Sequence, residues 1–321
     1  MRILFISSGY KGIYQWFETC IVNELKKGHE VRFVQCHSGL AAIKSVTASF
    51  KPEAALTLVG FLLPLEIVQW LKKQNIKTAV WFTEDPYYMD RTIPLATHYD
   101  YIFSIDTAAC DYYQKEKGHQ HVVPLPLATA PEVFLPKETG PKFKSDLCMV
   151  GFPYPDRVKM IHYLLQNTSC KIAVVGKWMG ALYKFRQHPN IRIHEGWFQP
   201  AMIAQYYNGA KIVLNNHRPF NLQQNRNSLK IIGKSINNRT FDVAACGAFQ
   251  LIEWKEDLPN HFIEGEEIVS FLNYQDLQEK ISYFLKNEAE RKQIAHKARE
   301  RVLNDHTFEK RINQLITYIE K

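Results

Sequence analysis

The 321-residue sequence predicts an α/β protein with two doubly wound domains, each built on a parallel sheet. Two observations support this prediction. Short apolar strands alternate with amphipathic helices along the chain, and the alternation is interrupted at residues 129–145. That segment contains three prolines, one glycine and several charged residues, which is typical of an interdomain linker. We therefore expect a first domain over residues 1–128 and a second domain over residues 146–305.

The first domain begins with a buried strand, ILFIS, which is followed by the glycine-containing loop SSGYKG. The next helix, around FETCIVNELKK, carries its apolar residues on one face and ends at Gly28. Further helices are predicted at EIVQWLKK and AACDYYQKE. Four more strands are predicted, at VRFVQC (residues 31–36), TAVWFT (78–83), YIFSI (101–105) and HVVPLPLA (121–128).

The second domain repeats the alternation. Its strands are predicted at DLCMVG (residues 146–151), KIAVVG (171–176), KIVLNN (211–216) and FQLIEW (249–254), separated by the helices DRVKMIHYLLQ and AMIAQYYNGA. Two helices follow the last strand, at QDLQEKISYFLK and EAERKQIAHKARERVL. The final helix, residues 306–321, has a single apolar stripe that either domain could cover.

Composition and charge indicate which kinds of ligand the protein binds and in which compartment of the cell we expect it. The formal charge of +8 favours anionic ligands such as nucleotide phosphates, anionic polymers or nucleic acid. No run of five basic residues occurs, which argues against a nucleic-acid-binding arm. The longest apolar stretch, residues 54–65, is shorter than the ~20 residues that a membrane helix needs. The first residues are typical of a strand rather than a signal peptide, so we expect a cytoplasmic protein. The cysteines lack paired spacing, and we expect neither disulfides nor a zinc site.

Two loops of the first domain follow predicted strands. Gly9 and Gly12 in SSGYKG would let a ligand approach the backbone closely, or they form a flexible turn. Asp85 in the triplet EDP, after TAVWFT, is a candidate general base. The alternative for Asp85 is a cap of the following helix.

In the second domain, three strands are each followed by glycine, amide or cationic residues. Because the carboxyl ends of parallel strands meet at one edge of a sheet, we expect these side chains to converge. Guanidinium and ammonium groups placed in this way would suit a diphosphate. The residues are Gly151 and Arg157 after DLCMV, Lys177 and Trp178 after KIAVVG, and Asn216, His217 and Arg218 after KIVLN.

The stretch SINNRTFDVAACGAFQLIEW, residues 235–254, places an acid at the head of an otherwise apolar helix. Arg239 and Asp242 are three residues apart and would share a helix face. The Asp242 carboxylate could accept two hydrogen bonds from the vicinal hydroxyls of a ribose, while Arg239 faces a phosphate and Asn238 and Thr240 assist. The alternative is a helix cap with a local Arg–Asp pair.

This stretch resembles the C-terminal half of the CgeB-like (spore maturation protein) glycosyltransferases, as do LPNHFIEGEEIVSFLNYQDLQEKISYFLKN and RKQIAHKARERVLNDHTFEKRI. KIVLNNHR, VGFPYPDR and WFTEDP are also similar to that family. The resemblance implies a GT-B architecture of two facing Rossmann-like domains, with the nucleotide-sugar donor held mainly by the second. It also implies that no metal is required and that the last helix crosses back to the first domain.

The resemblance extends to particular positions. In related transferases an acid five residues before a glycine binds the donor ribose, and Asp242 and Gly247 reproduce that spacing. The acid is Asp where Glu is usual. Retaining relatives carry a second glutamate eight residues earlier, where this chain has Lys234. The resemblance therefore implies nothing about whether the anomeric configuration is retained or inverted.

Together these features predict a glycosyltransferase that moves a sugar from a nucleotide-sugar donor, expected to be a UDP-sugar, to a polysaccharide, a small molecule or another anionic acceptor. No cofactor besides that co-substrate is expected. Asp85 would be the base, and Gly9, Tyr10 and Gly12 would lie on the acceptor side. The alternative is a non-catalytic nucleotide-binding or spore-associated structural protein that keeps the fold. The predicted donor-binding residues are Gly151, Arg157, Lys177, Trp178, Asn216, His217, Arg218, Asn238, Arg239, Thr240 and Asp242.

Overall fold

The computed structural model describes all 321 residues, which form two compact units. The first unit contains Met1–Leu127, Phe220–Ser235 and Phe308–Lys321, and the second contains Ala128–Pro219 and Ile236–Thr307. This division differs from the predicted one in two places. Residues 220–235, expected in the second domain, belong to the first unit, where Ser228 donates hydrogen bonds to the carboxylate of Asp90. The predicted linker, residues 129–145, belongs to the second unit.

The first unit is built on a six-stranded parallel sheet in the order β2-β1-β3-β4-β5-β6. Its central strands are almost wholly buried, because helices cover both faces of a parallel sheet. The strands are β1 (Arg2–Ile6), β2 (Glu30–Val34), β3 (Ala54–Leu58), β4 (Lys77–Phe82), β5 (Tyr101–Ser104) and β6 (Val122–Pro124). The helices between them are α1 (Ile13–Gly28), α2 (Gly39–Phe50), α3 (Leu65–Lys73), α4 (Met89–Ala96) and α5 (Thr107–Lys115).

The second unit repeats this plan with the strand order β12-β11-β10-β7-β8-β9, again all parallel. The chain runs outward in one direction from β7 and in the other from β10, so the topological switch lies between these two strands. The strands are β7 (Ser145–Val150), β8 (Ile172–Gly176), β9 (Ile191–Glu195), β10 (Ala210–Asn215), β11 (Gln250–Glu253) and β12 (Val269–Phe271). The helices are α6 (Pro155–Asn167), α7 (Pro200–Gly209), α8 (Arg239–Ala245), α9 (Tyr274–Lys286) and α10 (Glu288–Asp305).

The predicted fold class of two doubly wound α/β units is therefore confirmed. None of the helices combines the length and the apolar character that crossing a membrane requires.

The last helix, α11 (Phe308–Glu320), packs in the first unit against α1. The ring of Phe308 lies 6.4 Å from that of Phe17 on α1. Arg311 donates a hydrogen bond of 2.9 Å to the carbonyl oxygen of Pro126, and Tyr318 packs edge-on against Tyr101. The apolar stripe predicted from the sequence is buried in full, at Phe308, Ile312, Leu315, Ile316 and Ile319.

Leu315→Ala should destabilise the first unit by about 2–5 kcal/mol, because the side chain is fully buried and its removal leaves a cavity. Differential scanning calorimetry of the full chain would record this as a lower melting temperature. The neighbouring Gln314 is exposed, and Gln314→Ala should change stability by no more than about 0.5 kcal/mol. Equal effects of the two variants would contradict the packing described for α11.

An acid lies in the core of the first unit. Asp85, just after β4, is 1% exposed and is surrounded by three hydroxyl groups. Its carboxyl oxygens lie 2.7 Å from Oγ of Ser104, 2.8 Å from Oγ1 of Thr92 and 3.0 Å from the phenol oxygen of Tyr113. Burial raises the pKa of Asp85 to about 7, although hydrogen bonds from these hydroxyls counteract part of the rise.

The raised pKa of Asp85 predicts a pH-dependent stability. Between its unfolded pKa of about 4 and its folded pKa of about 7, the folded state holds a proton that the unfolded state has released, so stability falls as pH rises through this window. Asp85→Asn removes that loss. From pH 5 to pH 7, its stability relative to the wild type should rise by about 2 kcal/mol.

Denaturant titrations of both proteins across this range would measure the difference. Asp100→Asn is the matched control, since Lys72 and Thr78 hold the pKa of Asp100 below its ordinary value despite its partial burial. Its stability relative to the wild type should stay constant above pH 5. A constant difference for Asp85→Asn would contradict a raised pKa.

Candidate functional site

The carboxyl ends of three adjacent strands, β10, β7 and β8, meet at the topological switch of the second unit. Gly151 follows β7 with φ of 129°, and Gly176 ends β8 with φ of 140°. A Cβ atom at Gly176 would overlap the carbonyl oxygen of Gly151. Only glycine therefore allows the two chain segments to approach this closely.

Two arginines converge above Gly151. A Cβ atom built on this residue would lie 2.7 Å from a terminal nitrogen of Arg157 and 2.7 Å from a terminal nitrogen of Arg239. The two guanidinium groups therefore share the space that the missing side chain leaves. Guanidinium groups brought together in this way repel each other, and an anionic ligand would relieve that repulsion.

Arg157 is held in place by neutral acceptors, although it is buried. Its Nε donates to Oδ1 of Asn216 at 2.8 Å, and one terminal nitrogen donates to the carbonyl oxygen of Asn216 at 2.8 Å. The other donates to the carbonyl oxygen of Phe152 at 3.0 Å. The ring of Tyr154 lies 5.0 Å from the guanidinium of Arg157 and 5.6 Å from that of Arg218. A third cation, Arg218, thus lies beside the same aromatic ring as Arg157.

Arg239 is positioned by Asn215, the last residue of β10. Its guanidinium donates to Oδ1 of Asn215 at 3.0 Å, and the side chain of Asn237 donates to the same oxygen at 2.8 Å. The amide nitrogen of Asn215 donates to Oγ1 of Thr240 and to Oε1 of Gln250, both at 3.0 Å. Asn216 is a site residue predicted from the sequence and Asn215 is not, because only the structure shows which of the two side-chain amides faces α8.

Asp242 lies on the first turn of α8 and is partly exposed. Its Oδ2 accepts a hydrogen bond of 3.0 Å from Asn238. Burial on its other sides raises the pKa of Asp242 to about 8, while the Thr129 hydroxyl and the Arg239 guanidinium lower it in part. The carboxyl is therefore mostly protonated at neutral pH. The predicted alternative of an Arg–Asp pair is not formed, since Arg239 reaches Asn215 instead.

His217 supplies a buried imidazole close to Arg157. Its backbone N–H donates to Oε2 of Glu253 at 2.9 Å, and its Nδ1 lies 3.3 Å from the same oxygen. Burial lowers the pKa of His217 to about 4, so the ring is neutral. With the proton on Nδ1 facing Glu253, Nε2 can accept a hydrogen bond, and it has no partner within the protein.

Three predicted site residues lie away from a ligand-accessible surface. Trp178 is fully buried in the core of the second unit, where its indole N–H donates to the carbonyl oxygen of Val175 at 3.3 Å. Thr240 is also fully buried, and its hydroxyl is engaged by Asn215. Neither side chain is exposed to a ligand in this structure, and their direct contacts with a donor stay predictions. Asp85 is enclosed in the first unit, whereas a general base must reach the proton that it abstracts. Lys177, by contrast, is exposed on the loop after β8.

The glycine loop of the first unit follows β1. Gly9 and Gly12 have φ of 79° and 70°, and the ring of Tyr10 packs at 5.2 Å from that of Tyr14. Gly9 and Tyr10 line a cavity of about 760 Å³ on this unit. The buried carboxylate of Glu18 also lines it and accepts a hydrogen bond of 2.5 Å from the backbone of Ser8.

Two known structures share the fold along the whole chain. Sucrose-phosphate synthase from Thermosynechococcus elongatus superposes with a TM-score of 0.74 at 12% identity, covering 100% of this chain and 98% of that one. HepE of Anabaena, solved in complex with UDP-glucose, superposes with a TM-score of 0.68 at 10% identity and covers 99% of both chains. These likenesses confirm the predicted GT-B fold class.

Sequence comparison gives the family. A model of the family described as glycosyl transferase-like matches residues 157–317, which include every arginine of the site described above. Spore protein CgeB of Bacillus subtilis (strain 168) is 33% identical over 297 residues, which span 92% of this chain and 91% of the relative. The chain belongs to the CgeB-like family of glycosyltransferases.

Proposed function

We propose that the protein transfers a sugar from a UDP-sugar to an acceptor, and that the second unit binds the donor at the carboxyl ends of β10, β7 and β8. The convergence of Arg157 and Arg239 above Gly151 carries this proposal. Bidentate guanidinium groups match the oxygens of a diphosphate, and the glycine leaves room for them. HepE, which has the same fold, was solved with UDP-glucose, and this favours uridine as the base.

The arginines also have a chemical role in the transfer. When the glycosidic bond to the donor breaks, negative charge accumulates on the leaving diphosphate. Preorganised cations aimed at that charge lower the barrier, a task that metal ions fulfil in other transferases. Arg157 and Arg239, with Arg218 beside Tyr154, would stabilise the leaving group directly. We therefore propose a metal-independent transfer.

Asp242 would bind the ribose. An ionised carboxylate accepts hydrogen bonds from two vicinal hydroxyls, whereas the protonated form of the free protein accepts them less well. Donor binding would therefore be coupled to release of this proton. Asn238, which already donates to Oδ2, would keep the carboxylate oriented towards the ligand.

Calorimetric titration with UDP, UMP, ADP and GDP tests the donor site. UDP should bind most tightly, and Asp242→Ala should weaken its binding by about 10- to 100-fold, the equivalent of one charge-assisted hydrogen bond of ~1.5–3 kcal/mol. Glu279→Ala removes an exposed acid from α9 and serves as the control, with affinity unchanged. Wild-type affinity in Asp242→Ala would exclude Asp242 as the ribose ligand.

Transfer itself is tested by release of UDP from UDP-glucose and other UDP-sugars. An active transferase leaks some sugar to water, so slow release of UDP is expected without any acceptor. Tight binding of UDP-sugars with no release would instead support a non-catalytic nucleotide-binding protein.

The affinity for UDP should also rise with pH. Because the ligand prefers the ionised carboxylate, binding strengthens by up to about tenfold per pH unit below the pKa of about 8 and levels off above it. Asp242→Asn cannot ionise and should lack this rise, while any ionisation of UDP itself affects both proteins equally. Titrations at pH 6.5, 7.5 and 8.5 would measure the ratio of the two affinities. A ratio that does not vary with pH would exclude coupling between donor binding and the proton on Asp242.

A further inference from the structure

The opposite edge of the sheet in the second unit also carries a cavity. It lies at the amino ends of the strands and has a volume of about 970 Å³. Basic side chains dominate its lining, and they come from two sources, the strand starts and helix α10. The basic residues are Lys144, Lys171, Arg192, Lys211, Arg291, Lys292 and Arg299.

The strand starts bring four cations into a row. Lys144 and Lys171 immediately precede β7 and β8, while Arg192 and Lys211 are the second residues of β9 and β10. These four strands are adjacent in the sheet. Because neighbouring strands lie ~4.8 Å apart, the row is about 14 Å long. These residues are spread over nearly seventy positions of the sequence, and they come together because their strands are neighbours in a parallel sheet.

Helix α10 supplies the other wall. Arg291, Lys292 and Arg299 recur at spacings that keep them near one face of the helix. The guanidinium of Arg291 is buried and donates to the carbonyl oxygen of Phe284. Arg299 donates to the carbonyl oxygen of Ala245 at 3.2 Å. Carbonyl acceptors fix the orientation of these arginines without neutralising their charge.

The charge around this cavity is unbalanced. Seven basic residues and one acid, Asp146, line it, a surplus of six positive charges where the whole chain has a surplus of eight. Asp146 is paired with Lys211 at 2.8 Å. Outside the lining, Glu288 pairs with Lys292 at 2.6 Å, which still leaves five. Such a concentration of like charge costs folding free energy, and an anionic ligand would relieve it.

We propose that this cavity binds a soluble ligand that carries several closely spaced phosphate groups. The row of four cations matches a chain of anionic groups, and the two arginines of α10 offer forks suited to phosphate oxygens. The concave shape favours such a ligand over a bilayer, whose flat surface would reach the exposed cations of the row but not the buried Arg291. The site is separate from the donor arginines, since the strands between them rise roughly 15–20 Å.

Calorimetric titration of the full chain with inorganic tripolyphosphate, at physiological salt, tests the proposal. Lys144→Gln/Lys171→Gln removes two exposed cations from the row and should weaken binding by at least about tenfold. Lys184→Gln/Lys286→Gln removes the same charge from exposed positions elsewhere on this unit and should change binding by less than about twofold. Arg239→Gln, which alters the donor site, should keep the tripolyphosphate binding that depends on Lys144 and Lys171.

Three results would overturn the proposal. The first is no binding of tripolyphosphate, the second is equal binding by the wild type and by Lys144→Gln/Lys171→Gln, and the third is loss of this binding in Arg239→Gln instead. Sedimentation with vesicles of phosphatidylglycerol and phosphatidylcholine tests the other source of phosphate, the lipid headgroups of a membrane. Vesicle binding that depends on Lys144 and Lys171, without tripolyphosphate binding, would assign the surface to a membrane instead. None of these outcomes depends on whether UDP binds at the other edge of the sheet.

Discussion

The side chain of Asn215 is the constraint on which the arrangement of the proposed donor site depends. It is fully buried, and a buried amide costs free energy unless its two donors and its acceptor oxygen are satisfied. Four hydrogen bonds meet this requirement, and they reach β11, the segment before α8 and α8 itself. One of the four groups is the guanidinium of Arg239. The hydrogen bonds that satisfy the buried amide of Asn215 therefore also hold the guanidinium of Arg239 in position.

How much of the site the sequence could predict depends on whether each residue's position is set locally or by tertiary contacts. Glycines and cations after strands are local signals, and the parallel sheet guarantees that they meet, so Gly151, Arg157 and Asn216 could be found without a structure. Whether a side chain after a strand points into the core or towards the site depends on tertiary packing, which the local sequence does not show. Trp178 follows a strand-end glycine as Arg157 does, yet its ring fills the core, because an indole gains more from burial than a lysine or an arginine does. Glu253 and Tyr154 gave no local signal at all.

For the fold, most of the apolar strands were predicted, but the wholly buried strand β3 (AALTL) and the weak strands β9 and β12 were not. The edge strand β9, IRIHE, alternates isoleucine with polar residues over only five positions, which is a weak strand signal, and β12 has only three residues. Both form because a neighbouring strand offers them hydrogen-bonding partners. Residues 220–235 illustrate a second limit. They follow β10 in the sequence but belong to the first unit, which they contact through side-chain hydrogen bonds such as that of Ser228 to Asp90. No local sequence pattern predicts such a contact.

The two edges of the second sheet hold positive charge in different ways, and the difference bears on the proton of Asp242. At the amino edge the lysines are exposed and water screens their repulsion. At the carboxyl edge Arg157 is buried, and burial strengthens every electrostatic interaction around it. An ionised Asp242 there would attract Arg239 but would repel an incoming diphosphate. The raised pKa removes that conflict, because a neutral carboxyl neither competes for the guanidinium nor repels the ligand. In the proposed donor complex the ribose hydroxyls would favour the ionised carboxylate, so release of this proton would accompany donor binding.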